Sequence, residues 1–423
     1  METGLYHAYV DILKEELIPA MGCTEPIAVA YAAAIAAKTL GALPEDVDIC
    51  VSGNIIKNVK SVIVPNTGGL KGLNAAAAAG IAAGDPDREL QVISAVTPEQ
   101  TKEIAKFLDT AHFTVRRSES GLVFDIEITV SAGGHWASCR IAGFHTNVIS
   151  IKKDGAVLLE KEYCEAGGER KTDRSLLTVE KIVEFADALD AADVKETLGR
   201  QIEYNMAIAE EGMKGSYGAN IGKTLVAAYG SSVWVRAKAM AAAGSDARMN
   251  GCELPVVINS GSGNQGITAS VPVIVYAREL GVSEDMLLRA LAVSNLVTIH
   301  LKTGIGSLSA YCGSTSAGCG AGAGITYMYG GRYNEIAHTV VNAVAINSGM
   351  ICDGAKASCA AKIASAVEAG LLGMQMYMHG NEFYGGDGIV TKGVENTINN
   401  VGKLARDGMS QTDKEIINIM IEK

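Results

Sequence analysis

Aromatic residues are scarce in this chain: Phe, Trp and Tyr make up 5% of its 423 residues, and only two are Trp. Large rings therefore cannot fill its core. The 48% of residues that are apolar must pack mostly as small aliphatic side chains, and together with 48 glycines they predict helices in close approach. Basic charge is also in deficit. Lys and Arg number 36 against 47 Asp and Glu, a net charge of -11. With no basic stripe, this argues against nucleic acid and anionic membrane surfaces as partners. Long apolar runs are missing as well: the longest, Ile27 to Ala37, ends at Lys38 and falls short of the roughly 20 residues that span a bilayer. The opening METGLYHAYVDILKEEL is acidic and amphipathic and has no apolar h-region of a secretory signal, so the expected location is the cytoplasm. Short paired cysteine spacings such as C-x2-C are absent, which disfavours a zinc staple or a ferredoxin-type run. Nine cysteines, an odd number, do not suit a disulfide framework. Cys50, Cys139, Cys164, Cys252 and Cys319 read as ordinary small residues.

Length alone argues for two domains. Residues 5 to 40 read as two helices broken at MGCTEP, with Thr24 as N-cap of the second and Pro26 in its first turn. Cys23 then precedes a helix N-terminus, where the dipole favours a thiolate. From residue 46 the period shortens. VDICVS, SVIVP, LQVISA, FTVRR, LVFDIEITVS, HWASCRIAG, TNVISIK and AVLLEKE read as strands, and TPEQTKEIAKFLDTA as a helix opened by a capping box at Thr97. The polar stretch 165–175 reads as a boundary. Beyond it the pattern is helical, interrupted by Gly-rich joints at GSYGANIG, INSGSGNQGIT, GCGAGAG and YGGDGIV. The expected class is α+β: a mainly helical domain with an inserted strand-rich α+β domain. Its parts are residues 1–45, N-terminal helices packing with the helical domain; 46–169, the strand-rich α+β domain; and 170–423, the helical domain.

What the chain does have is a spaced set of cysteines in small-residue surroundings. Thirty-nine residues separate Cys312 from Cys352, and six separate Cys352 from Cys359. A site built from them has to be assembled from separate helix ends. Thiolates ligate soft metals and iron–sulfur clusters. Three thiolates on a four-iron cube leave one iron open as a Lewis acid for substrate. Three buried structural cysteines are the alternative. Cys23 has two readings, a base or a fourth ligand. In NSGSGNQG the backbone amides of Ser260, Gly261, Ser262, Gly263 and Asn264 are placed to cradle an anion such as a substrate carboxylate, and a plain turn with a helix cap is the alternative. No Gly-Lys-Ser/Thr follows, which weakens a phosphate reading. His145, in GFHTN, is either an orienting or proton-relay group or a structural histidine. Arg248 and Lys302 have the charge to neutralise a carboxylate, although surface charge is the commoner role.

The segments MGCTEPIAVA at 21–30, GFHTN at 143–147, SDARM at 245–249, NSGSGNQGI at 259–267, SLSAYC at 307–312, SGMICDGAKASCAAK at 348–362 and GNEFYGGDGIV at 380–390 resemble the L-cysteine desulfidase family. That family is iron–sulfur dependent and distantly related to the catalytic chain of bacterial iron–sulfur L-serine dehydratases. The resemblance covers essentially the whole chain and implies a helical catalytic unit. It also implies a [4Fe–4S] cluster on Cys312, Cys352 and Cys359, Cys23 as proton acceptor, and conversion of L-cysteine to pyruvate, ammonia and hydrogen sulfide. The substrate-binding set expected with it is Ser260, Gly261, Ser262, Gly263, Asn264, Gln265 and His145. The expected partner is a small amino-acid substrate, and a homo-oligomer is compatible with the sequence. Two rival readings are an L-serine dehydratase-like lyase with the same cluster chemistry and a non-catalytic iron–sulfur carrier or sensor. The carrier requires four protein ligands and no substrate pocket.

Overall fold

A computed structural model describes residues 1–163, 172–306 and 308–421, so most of the expected boundary at 165–175, together with Cys164 and Ser307, lies outside the described residues. The chain opens with α1 (Thr3–Glu16), β1 (Pro19–Met21), α2 (Thr24–Leu40), β2 (Asp46–Val51), α3 (Gly53–Val59), α4 (Gly72–Ala83) and α5 (Pro98–Thr110). Five strands follow: β3 (His112–Arg117), β4 (Asp125–Ala132), β5 (His135–Ala142), β6 (Val148–Lys153) and β7 (Ala156–Glu160). The rest is helical apart from β8 (Pro255–Val257). Its helices are α6 (Val179–Ala188), α7 (Ala191–Lys214), α8 (Ile221–Tyr229), α9 (Val233–Met249), α10 (Gly263–Leu280), α11 (Glu284–Ile305), α12 (Gly313–Met328), α13 (Tyr333–Asn347), α14 (Cys359–Met378), α15 (Val394–Lys403) and α16 (Ser410–Ile421). The class is α+β, as the sequence predicts.

Six strands form one sheet in the order β3-β2-β4-β5-β6-β7. The β2–β3 pair is parallel, joined by a helical crossover, and the other pairs are antiparallel. Alternation decides which face is covered. Val47, Ile49, Val51, Ile126, Ile128, Val130, Ala137, Cys139 and Ile141 are buried, and α2 packs against β4 and β5 on that side. Of the two N-terminal helices, α1 contacts α7 and α11, while α2 lies mainly with the sheet and α4.

Two expected strands are not strands. SVIVP lies mostly in turns apart from the isolated Ile63–Lys71 bridge, and LQVISA begins in the last two residues of a short 3-10 segment (Pro86–Gln91) and continues as turns. Both runs are apolar because Val62, Val64, Val92 and Ile93 are buried, not because they pair. A short apolar run cannot distinguish those two situations. One expected joint and one expected cap also change. GCGAGAG lies inside α12. A Cβ at Gly318 would sit 2.2 Å from Ala366 O of α14, and one at Gly320 2.2 Å from Thr298 Oγ1 of α11. These glycines let three helices touch backbone to side chain rather than breaking one. The residue capping α2 is Cys23, not Thr24, whose hydroxyl is drawn away to Gly261 O at 3.0 Å.

Candidate functional site

Three of the singled-out cysteines occupy the first positions of helices. Cys23 is the N-cap of α2, Cys312 the N-cap of α12, and Cys359 the first residue of α14. All three, with Cys352, line one pocket of about 760 Å³ of empty space including its open mouth. The start of α10 lines the same pocket through Ser262, Asn264 and Gln265. Four helix N-termini thus converge on one cavity, and each brings the positive end of its dipole.

Local structure explains the convergence. Tyr311 and Ile351 form an antiparallel bridge, with Cys312 N donating to Met350 O (3.0 Å) and Cys352 N to Ala310 O (2.6 Å). Residues distant in sequence are therefore held side by side. Gly354 adopts φ +93°, and a Cβ there would lie 2.2 Å from Lys57 O, so the turn after Cys352 sits directly on α3. Cys359 Sγ reaches Gly354 O at 3.6 Å and packs with Cys23, Val62 and Met249. On the other side, β1 and β8 pair antiparallel, and Thr24 Oγ1 bonds Gly261 O, which ties the Cys23 turn to the Gly-rich loop.

Charge in the pocket is mostly positive. Lys57, Arg248, Lys302 and Lys362 line it, against one acid, Glu25. Lys57 is 1% exposed, pairs with Asp413 of α16 at 2.5 Å and donates to Cys352 O at 3.5 Å. The hydrogen bond from Cys312 holds the Cys352 thiol well below the ordinary thiol range, with Lys57 and Lys362 acting in the same direction. The same bond, and burial, push Cys312 up. Cys23 behaves differently. Burial first, and then the charge of Glu25, raise its pKa, and Arg248 opposes them. Its Sγ donates to Glu25 Oε2 at 3.1 Å, and Asn58 Nδ2 holds the other carboxylate oxygen at 3.1 Å.

The expected substrate-binding residues divide into two groups. Ser262, Asn264 and Gln265 face the pocket, whereas Ser260, Gly261, Gly263 and His145 are not among its lining residues. Ser260 turns its hydroxyl to Asn259 Oδ1, and the Ser262 amide is taken by Asn259 O at 3.0 Å. Gly263 lies under Arg248: a Cβ there would be 2.3 Å from Arg248 Nε. His145 stands behind Gly261, edge-on to Phe124, with its Nε2 buried and unpartnered. Burial lowers its pKa; Arg248 acts the same way and Glu25 against it. Sequence reasoning missed Lys57 and Glu25 and set Arg248 aside. Glu25 adjoins Cys23 in the MGCTEP motif and Arg248 lies in SDARM, but Lys57 sits on α3, which carries no sequence signal of its own.

The family profile of the serine dehydratase alpha chain matches residues 87–418. That span holds the loop at 259–265 and Cys312, Cys352 and Cys359, while Cys23 precedes it. A UPF0597 protein of Desulfitobacterium hafniense is 59% identical over 418 residues, 99% of this chain and 97% of that protein. UPF0597 proteins of Lachnoclostridium phytofermentans (48% over 417 residues, 99% and 100%) and Treponema denticola (46% over 429, 100% and 99%) are similarly full-length matches.

Proposed function

The chain belongs to the serine dehydratase alpha-chain family, and from that premise we propose that it is a lyase acting on L-cysteine, releasing sulfide and leaving pyruvate and ammonia. The observation that carries this reading is the single pocket in which four cysteines, the N-termini of α2, α10, α12 and α14, and a majority of cations meet.

The family is iron–sulfur dependent in general, and the residues here fit such a group. Cys312, Cys352 and Cys359 supply soft sulfur donors on one wall, and Lys57 and Lys362 offset negative charge there. Among the described residues no three His, Cys, Asp or Glu side chains meet closely enough to hold one metal ion. A cube takes one thiolate at each of three corners, so its ligands need not converge on a point. Bound there, a [4Fe–4S] cluster would supply a Lewis acid for the departing sulfur or oxygen.

The chain's own groups supply the proton chemistry. Cys23 is the proposed base for the α-proton. Its thiol donates a hydrogen bond to Glu25, whose other carboxylate oxygen is held by Asn58, and this fixes the direction of the Cys23 sulfur in the pocket. Ser262, Asn264 and Gln265 at the start of α10 line the cavity, and a helix N-terminus there favours the substrate's carboxylate.

The match to serine dehydratase alpha chains over 87–418 favours L-serine as a second reading with the same residues. The test is kcat/KM for L-cysteine, L-serine and S-methyl-L-cysteine on anaerobically purified protein. A thiolate binds a borderline-soft centre more readily than a neutral hydroxyl. L-Cysteine is expected to be fastest, L-serine weak and S-methyl-L-cysteine inert. Faster turnover of L-serine replaces the desulfidase reading with the dehydratase one.

A further inference from the structure

Arg248 stands in the last turn of α9, 2% exposed, and lines the pocket. One nitrogen donates to Asn264 Oδ1 at 3.1 Å. Its Nε is buried without a partner, and among the described residues no carboxylate pairs with it. A buried guanidinium lacking a counter-charge is costly, and an anion bound at the cavity wall would offset that cost. Gln265 is also 4% exposed and lines the pocket, and its Oε1 is buried with no donor. Glycines make room for both. A Cβ at Gly263 would be 2.3 Å from Arg248 Nε, and one at Gly313 would be 2.7 Å from the Gln265 amide carbon.

A guanidinium held by Asn264 with its Nε unpaired, and an orphan acceptor on the next residue, Gln265, both lining the pocket, match an anion and a cation carried on one small molecule. We propose that Arg248 binds the carboxylate and Gln265 Oε1 the ammonium of an α-amino acid. This rests on the amino-acid reading above and names the groups that hold the substrate's two charged ends. The planar guanidinium suits a carboxylate better than it suits a thiolate, because a carboxylate offers two coplanar acceptors.

The probe is L-alanine, which has both charged groups and no leaving group, compared with ethylamine and propionate, each lacking one of them. Binding is measured by calorimetry on anaerobic protein, wild type and Arg248→Met, Arg248→Lys and Gln265→Leu. Wild type should bind L-alanine far better than either fragment. R248M should weaken L-alanine at least about 30-fold, the lower range for losing a buried charge partner. Ethylamine binding should be unchanged, and R248K should recover part of the loss. Q265L should weaken L-alanine while leaving propionate unaffected. Thermal melting separates this from a structural role. Removing an uncompensated buried charge should leave the ligand-free R248M melting temperature equal or higher, whereas an arginine needed to hold Asn264 predicts a lower one. Equal L-alanine affinity in folded R248M and wild type overturns the assignment alone. If wild type binds L-alanine, L-serine and L-cysteine no better than ethylamine, the amino-acid reading falls and this assignment with it.

Discussion

Two regions of this molecule bury charge in opposite ways. In the sheet, Asp125 is 2% exposed and fully engaged: Arg140 gives it two hydrogen bonds at 2.9 and 3.1 Å, and Ser118 and Ser120 one each at 2.6 Å. In the pocket, Arg248 Nε, Gln265 Oε1 and Tyr311 Oη are buried without partners, as are Thr315 and Ser316 just past Cys312. Among the described residues none of the buried unpartnered side-chain atoms lies on β2–β7. A structural charge is satisfied within the chain, because nothing else will satisfy it. In the proposed site the unpaired groups would be completed by the ligand.

The comparison breaks at its strongest point if the pocket cysteines are merely structural. Replacing Cys312, Cys352 or Cys359 with Ala should each abolish turnover and strip iron from anaerobically purified protein; iron and sulfide counts check this. Full iron retention in one variant removes that residue from the ligand set. Next in size is Cys23→Ala, expected to keep its iron and lose roughly 10²- to 10⁴-fold in kcat, the range for a lost general base. Loss of iron there would make Cys23 a ligand instead. Gly263→Ala places a Cβ 2.3 Å from Arg248 Nε. Since a displacement of about 1 Å can cost up to about 10²-fold, a rise in KM of about 10- to 100-fold with iron unchanged is expected from steady-state kinetics. Unaltered KM in folded G263A shows that the arginine position does not matter.

The smallest effect on activity belongs to the satisfied side. Asp125→Ala should leave kcat/KM unchanged and cost about 3 kcal/mol in denaturant unfolding, the low end for breaking a buried pair, since Arg140 is itself 31% exposed. Burial pushes the Asp125 carboxyl up, but hydrogen bonds from Arg140, Ser118 and Ser120 outweigh it and the net shift is downward. The pair's contribution is therefore complete above the unfolded value of about 3.9. It is lost as pH falls from there through the lower folded value. An unfolding midpoint that drops equally in wild type and D125A below pH 4 would show that this pair plays no part in acid sensitivity.

Much of this arrangement was legible in one dimension. Helical periodicity marked α1, α2, α6, α7 and α11, and the capping box at Thr97 is present with both its bonds. Alternation marked β3 to β7. The cysteines and the Gly-rich loop stood out by spacing and composition. SVIVP, LQVISA and GCGAGAG misled for a shared reason: apolar or glycine content reports what a segment touches, and that is not a local property. Lys57 was illegible because its burial depends on Asp413, 356 residues away.

The sequence alone determined the class of the protein, a helix beginning just after Cys23, and a set of thiols suited to soft metals, because these follow from residue types and periods of two and 3.6. Only the tertiary structure decided that the starts of α2, α10, α12 and α14 share one cavity, that the Cys23 thiol hydrogen-bonds Glu25, and that Arg248 is buried with its Nε unpaired rather than solvated. Burial and pairing are relations between distant segments, and no local pattern encodes them.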